Sequence, residues 1–169
     1  MPREESQVKG QRYQAAVRRW LGGVSLMGFL AEAFGDTYDA SRTAATVGGV
    51  QFDLSLKLVG EHVVERVFYA ECKYRARDGS LSNVMNPFVE NVCRAFANSE
   101  PGQRAASEFC LLASIPMAQW SLLMRYPHKT IKEGAERGGL QLDQELVTQL
   151  VPKVHVMVLS PPIIGETWA

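Results

Sequence analysis

VQFDLSLKLVGEHVVERVFYAECKY, residues 50–74, is the stretch whose reading decides the fold. Phe52, Leu54, Leu56 and Leu58 alternate with Asp53, Ser55 and Lys57. A period of two is that of a half-buried strand over 50–59. Gly60-Glu61-His62 reads as a short turn, after which 63–74 returns as a second strand, so the pair predicts a hairpin. Glu71 and Lys73 are one residue apart on that second strand and share a face with Val67 and Tyr69. If the turn centres near Glu61 or His62, Asp53 falls opposite Tyr69 or Glu71.

Working outward, Tyr13, Ala16, Val17, Trp20 and Leu21 follow the spacing of an amphipathic helix, which Gly22-Gly23 is expected to stop. A second helical piece is expected over 25–34, and irregular or edge structure over 35–49. Beyond the hairpin, RDGSLSN (77–83) is a loop and Asn86-Pro87 reads as a helix start, with Asn as N-cap and Pro at the first position. Phe88, Val92 and Phe96 continue that helix. FCLLASI (109–115) is continuously apolar and closed by Pro116, the pattern of a fully buried, parallel strand. Helical segments are expected over 117–126, 129–137 and 143–150, Gly138-Gly139 marks a helix end, and VHVMVLS (154–160) is a last strand. A hairpin followed by a β-α-β crossover predicts an α/β protein with a mixed central sheet and helices on both faces. A single domain over 1–169, with its core at about 10–160, is expected.

Composition narrows the function classes. The chain has 169 residues, 46% hydrophobic and 21% charged, which is globular usage and not that of a disordered chain. Net charge is zero, so no global field favours nucleic acid, and only residues 1–20 carry a modest basic excess. The three cysteines (Cys72, Cys93, Cys110) form no CxxC pair, which argues against a disulfide framework or a zinc site and suits a reducing cytoplasm. MPREESQVKG lacks the apolar centre of a signal peptide, and the longest apolar run, about residues 20–34, is interrupted by glycines and Glu32. No membrane association is expected. No phosphate-binding G-x-x-x-x-G-K-[ST] and no G-x-S-x-G is present.

The chemistry lies in the hairpin. With Asp53 on the first strand and Glu71 on the second, two carboxylates stand within reach of one divalent cation, and Lys73 sits one pleat further along. Mg²⁺ is commonly held by one or two carboxylates, waters and substrate phosphate. Such an ion activates water and stabilises charge on a scissile phosphate, while a neighbouring ammonium orients the nucleophile or adds positive charge.

QFD at 51–53 followed by ECK at 71–73 resembles the D-(x)n-E-x-K signature of the PD-(D/E)XK, or restriction-endonuclease-like, nucleases. The element order resembles that family's α/β/α core from about residue 10 to 160. The resemblance implies Asp53 and Glu71 as metal ligands, the backbone carbonyl of Cys72 as a further ligand, and Lys73 as the catalytic lysine. Mg²⁺ or Mn²⁺ would be the cofactor, and nucleic acid, DNA before RNA, the substrate. Many members carry an acid on the first helix, where this chain reads GQRYQ with Gln14 in the slot; Glu32 is a lesser candidate. Phe52 stands where the motif has proline. Arg12, Arg75 and Arg77 are candidate phosphate contacts. A homodimer or a targeting partner would be needed to cut both strands, and a role in defence against foreign DNA or in DNA processing follows only from the resemblance.

Against this stands a plainer reading, in which Asp53, Glu71 and Lys73 form a solvated face with cross-strand ion pairs of a few tenths of a kcal/mol. A domain of this fold that has lost catalysis and serves in binding or assembly is the alternative of a different class. His62 reads as a turn residue, His128 as a loop residue and His155 as a strand-face or core histidine. Cys93 and Cys110 read as small core residues.

Overall fold

The computed structural model describes residues 3–24, 29–30, 45–58, 66–74, 82–114 and 125–159. In chain order the elements are α1 (Arg3–Val24), β1 (Phe29–Leu30), β2 (Ala45–Val47), β3 (Val50–Phe52), β4 (Leu54–Leu58) and β5 (Arg66–Lys73). Then follow α2 (Ser82–Asn98), α3 (Pro101–Ala106), β6 (Ser107–Ala113), α4 (Pro127–Arg137), α5 (Gln144–Leu150), a 3₁₀ turn (Val151–Lys153) and β7 (Val154–Val158).

Among the described residues β1-β4-β5-β6-β7 form one sheet, in that spatial order, and β2-β3 a separate two-stranded ribbon. The pairings β1–β4 and β4–β5 are antiparallel, whereas β5–β6 and β6–β7 are parallel. The chain is therefore mixed α/β, as the hairpin and the crossover predict. All seven residues of β6 are buried, as expected of a central parallel strand with both faces covered.

Alternation along the strands builds two cores. On one face Tyr13, Ala16 and Val17 of α1 pack on Leu54, Ala70, Cys110 and Leu112. On the other, α2, α4 and α5 cover Phe52, Tyr69, Phe109 and Leu111. Cys93 and Cys110 are buried, and burial pushes both thiols up to about 12. Helix α4 approaches α2 closely at Gly134, where a Cβ would lie 2.3 Å from Val89 Cγ1.

Four local expectations change. Helix α1 runs through Gly22-Gly23 to Val24. Phe29–Leu30, within the expected second helix, is a strand paired to Lys57 and Leu58, because the outer edge of β4 offers backbone hydrogen bonds that outweigh a weak local pattern. Helix α2 begins at Ser82, so Asn86 is not its cap and Pro87 lies inside it. A proline there removes one intrahelical bond and costs about 3 kcal/mol. Burial of Val84 and Met85 in the extra turn, at roughly 1.5–3 kcal/mol each, offsets that cost. The fourth change, a break at Asp53, concerns the site. The expected turn at 60–62, all but the last two residues of the expected helix over 117–126, and the tail lie outside the described residues, as do Glu32, His62, Arg75 and Arg77. No helix among the described residues is long and apolar enough to cross a membrane.

Candidate functional site

The expected strand 50–59 is two strands, β3 and β4, joined by a bend at Asp53. Phe52 is buried in the core beneath α2, while Leu54 is buried in the opposite core beneath α1. Uninterrupted alternation would place both on one face, so the phase flips at Asp53. The cause is two-sided packing: β3 turns away to pair with β2, β4 stays in the main sheet, and the residue between them belongs to neither core. The β2–β3 ribbon closes through Gly48 and Gly49, both at positive φ (54° and 75°), as a tight hairpin turn requires.

The β4–β5 register ends at Leu54↔Ala70, which sets Asp53 across from Glu71, one of the two positions expected. Beyond that pair β5 continues alone on its β4 side, and the Asp53 side chain substitutes for the missing ladder. The Cys72 backbone N–H donates to Asp53 Oδ2 at 2.7 Å. On its other side β5 still pairs with β6, and the Ser114 N–H donates to the Lys73 carbonyl at 3.1 Å. Successive residues of a strand turn their amide and carbonyl to opposite edges. The Cys72 carbonyl is thereby directed to the same edge as its N–H, the edge where Asp53 stands.

Glu71 and Lys73 project from the face of β5 that also carries Val67 and Tyr69, and Lys73 Nζ lies 2.5 Å from Glu71 Oε1. The Glu71 side chain is only 16% exposed, that of Lys73 38%. Burial, and then the charge of Asp53, push the Glu71 carboxyl above its ordinary value of 4.5, although Lys73 pulls the other way. For Lys73, burial pulls down, but the hydrogen bond and charge of Glu71 and the charge of Asp53 outweigh it, so the ammonium is held above its ordinary value of 10.5. Lys73 is thus a fixed positive charge at neutral pH and no general base. The Cys72 thiol is pushed well above 9 by burial and then by the two carboxylates, and its side chain packs against the core beneath α1, on the face opposite Glu71 and Lys73.

Gln14 reaches this point from α1. Its neighbour Tyr13 is buried, with its hydroxyl donating to the Leu159 carbonyl at 3.0 Å, which anchors the helix against the sheet. Gln14 Nε2 donates to the backbone carbonyl of Asp53 at 2.9 Å. The contact is to the backbone and so steadies the bend that aims the Asp53 side chain. Of the expected residues, Asp53, Glu71, Cys72, Lys73 and Gln14 therefore meet at one place, whereas Arg12 is exposed on α1.

The oxygens here that could serve a cation are hard and few: two carboxylates and one backbone carbonyl. Among the described residues no three or more His, Cys, Asp or Glu side chains gather as a metal cage. That combination suits Mg²⁺ or Mn²⁺, which keep several waters and take few protein ligands, and does not suit zinc. The mutual repulsion that raises Glu71 is also what a dication would relieve.

A second charged cluster, not foreseen from the sequence, lies at the other end of the same strands. Glu108 of β6, its side chain 4% exposed, places Oε1 2.9 Å from Arg66 Nη1 and Oε2 2.9 Å from His155 Nε2. Lys153 Nζ lies 3.9 Å from Oε1 and donates to the Ala105 carbonyl at 2.8 Å. His155 is a strand-face residue, as read. The only sequence signal for this cluster is that each of its charges stands at the start of an apolar strand.

No family model, curated protein or solved structure matches the chain.

Proposed function

We propose that this chain is a metal-dependent nuclease with a restriction-endonuclease-like α/β/α core, acting on DNA before RNA. The observation that carries the reading is the bond from the Cys72 N–H to Asp53 Oδ2, which ties the Asp of one strand to the E-x-K of the next at the point where the ladder between them ends. Asp53, Glu71 and the Cys72 carbonyl would hold Mg²⁺ or Mn²⁺. Such an ion, when bound, lowers the pKa of water and offsets charge on a phosphodiester.

The chain's own residues supply the rest. Lys73 keeps its proton and presents an ammonium to the anionic oxygens of the substrate or to the attacking water. Gln14 holds the bend, so that Asp53 is aimed before substrate arrives. One domain of this size supplies one such site, so cutting both strands of a duplex requires a second copy or a partner.

The test is plasmid nicking with Mn²⁺ by wild type, Asp53→Asn and Lys73→Met, each confirmed folded by its melting transition. Nicking by wild type that both substitutions abolish supports the reading; equal nicking by all three overturns it. One observation favours a non-catalytic binding module instead, namely that Glu71 already has a cationic partner in Lys73. No nicking and no Mn²⁺ binding by wild type would select that alternative.

A further inference from the structure

We propose that Lys73 is the internal counter-cation of the Asp53–Glu71 pair, and that a divalent ion loads the site by displacing Lys73 from Glu71. The inference rests on the nuclease reading and deepens it, because it couples occupancy of the metal site to placement of the lysine.

Three observations carry it. First, Lys73 and Glu71 lie two residues apart on one strand and so face the same way, and Nζ lies 2.5 Å from Oε1. Second, the two carboxylates behave differently. Asp53 is tied through Oδ2 to the Cys72 N–H, while Glu71 is paired through its side chain with the lysine. The backbone bond points along the sheet and does not compete with a cation, so Glu71 is the group that must change partner. Third, the Glu71 side chain is largely buried, so water screens its charge poorly and the nearest cation dominates. Without a metal that cation is Lys73.

Two carboxylates and one ammonium sum to a single negative charge. A dication entering beside a paired lysine meets repulsion from it and must share Glu71 with it. Once Glu71 turns to the ion, the ammonium, more than a third exposed, is released toward the open side of the site, where the substrate's anionic oxygens would lie. Lys73 would then both guard the site before loading and act in it afterwards.

The expected signature runs against the usual effect of deleting an active-site residue. Lys73→Met, which keeps the aliphatic stem, should bind Mn²⁺ about tenfold more tightly than wild type while losing nicking. Lys73→Arg, which keeps the charge, should bind Mn²⁺ about as wild type does. Calorimetric titration of the full chain with Mn²⁺ at a fixed pH of 8, run on these three proteins and Asp53→Asn, reads this directly, with nicking measured on the same samples.

Tighter binding by Lys73→Met, or binding by it alone, supports the inference. Equal or weaker binding by Lys73→Met than by wild type overturns it and leaves the metal site standing. Tighter binding by Lys73→Met with no nicking by wild type supports the counter-cation and overturns the nuclease reading. Binding by neither protein overturns both.

Discussion

The two ends of strand β5 are built on opposite electrostatic plans. Its start, Arg66, joins a cluster in which one buried carboxylate, Glu108, is met by an arginine, a lysine and a histidine. Its end, seven residues and about 23 Å further along, carries Glu71 and Lys73 beside Asp53, two carboxylates to one ammonium. At the first end the buried acid has more cationic partners than it needs. At the second, Lys73 is the one cationic partner among the described residues, and the Glu71 carboxyl is raised by burial and by its neighbour Asp53. A protein that needed only to be stable would not leave carboxylates short of partners. Under the proposed function the second end would take a cation, whereas the first fastens β5, β6 and β7.

The largest effect that would sharpen this comparison is catalytic. Asp53→Asn keeps an oxygen to accept from the Cys72 N–H but removes the charge, and Lys73→Met removes the ammonium. Each should lower Mn²⁺-dependent nicking by at least about 10²-fold, the scale on which a preorganised charge in a site acts, while the melting temperature moves by only a few degrees. A loss of nicking accompanied by unfolding would instead make these residues structural.

Next comes the stability contrast between the two ends. Glu108→Ala strands Arg66, Lys153 and His155 around a cavity. Removing one partner of a buried pair costs several kcal/mol, and because Arg66 and His155 are 52% and 44% exposed the lower end applies, about 3 kcal/mol. That corresponds to roughly 6–12 °C in Tm for a chain of this size. Glu71→Gln should leave Tm unchanged or raise it, since it ends the repulsion with Asp53, as expected where stability is given up for function. A large drop for Glu71→Gln, or none for Glu108→Ala, would break the comparison.

A smaller effect is the pH dependence. The folded-state pKa of Glu71 is raised above 4.5, so between that value and the raised one the folded chain binds more protons than the unfolded chain. The contribution of this residue to stability therefore falls as pH rises through its folded pKa. In thermal melts over the weakly acidic range Glu71→Gln should gain on wild type as pH rises. Mn²⁺ affinity should move the opposite way in wild type, improving with pH, because the ion needs the ionised carboxylate.

How much of this was legible in the sequence depends on how local each signal was. The β4–β5 hairpin and the facing of Asp53 and Glu71 follow from period-two alternation and the length of the connection, both local. The buried β6 follows from its unbroken apolar run. The bend at Asp53 could not be read, because Phe52 and Leu54 look equally core-bound in sequence and only the three-dimensional arrangement sends them to opposite cores. Asn86-Pro87 misled because it has the composition of a cap, yet burial of Val84 and Met85 extends α2 past it. The Glu108 cluster draws on three strands with long separations, and nothing local announces it.

Gln14 offers the smallest and most discriminating effect. Its amide bonds the Asp53 carbonyl, a neutral hydrogen bond of net worth about 1 kcal/mol, so Gln14→Ala should lower Tm by roughly 2–4 °C. If Gln14 only steadies the bend, nicking should fall a few-fold and Mn²⁺ affinity should barely change, because the carboxylates stay in place. Gln14→Glu separates positioning from liganding more sharply. A carboxylate cannot donate to the carbonyl, and here it would add a third negative charge near Asp53 and Glu71. Without metal the variant should melt below wild type, and Mn²⁺ should raise its Tm by more than it raises that of wild type. An equal metal-induced rise in the two proteins would mean that residue 14 stands outside the reach of the ion, and that α1 contributes to the site only by steadying the backbone at Asp53.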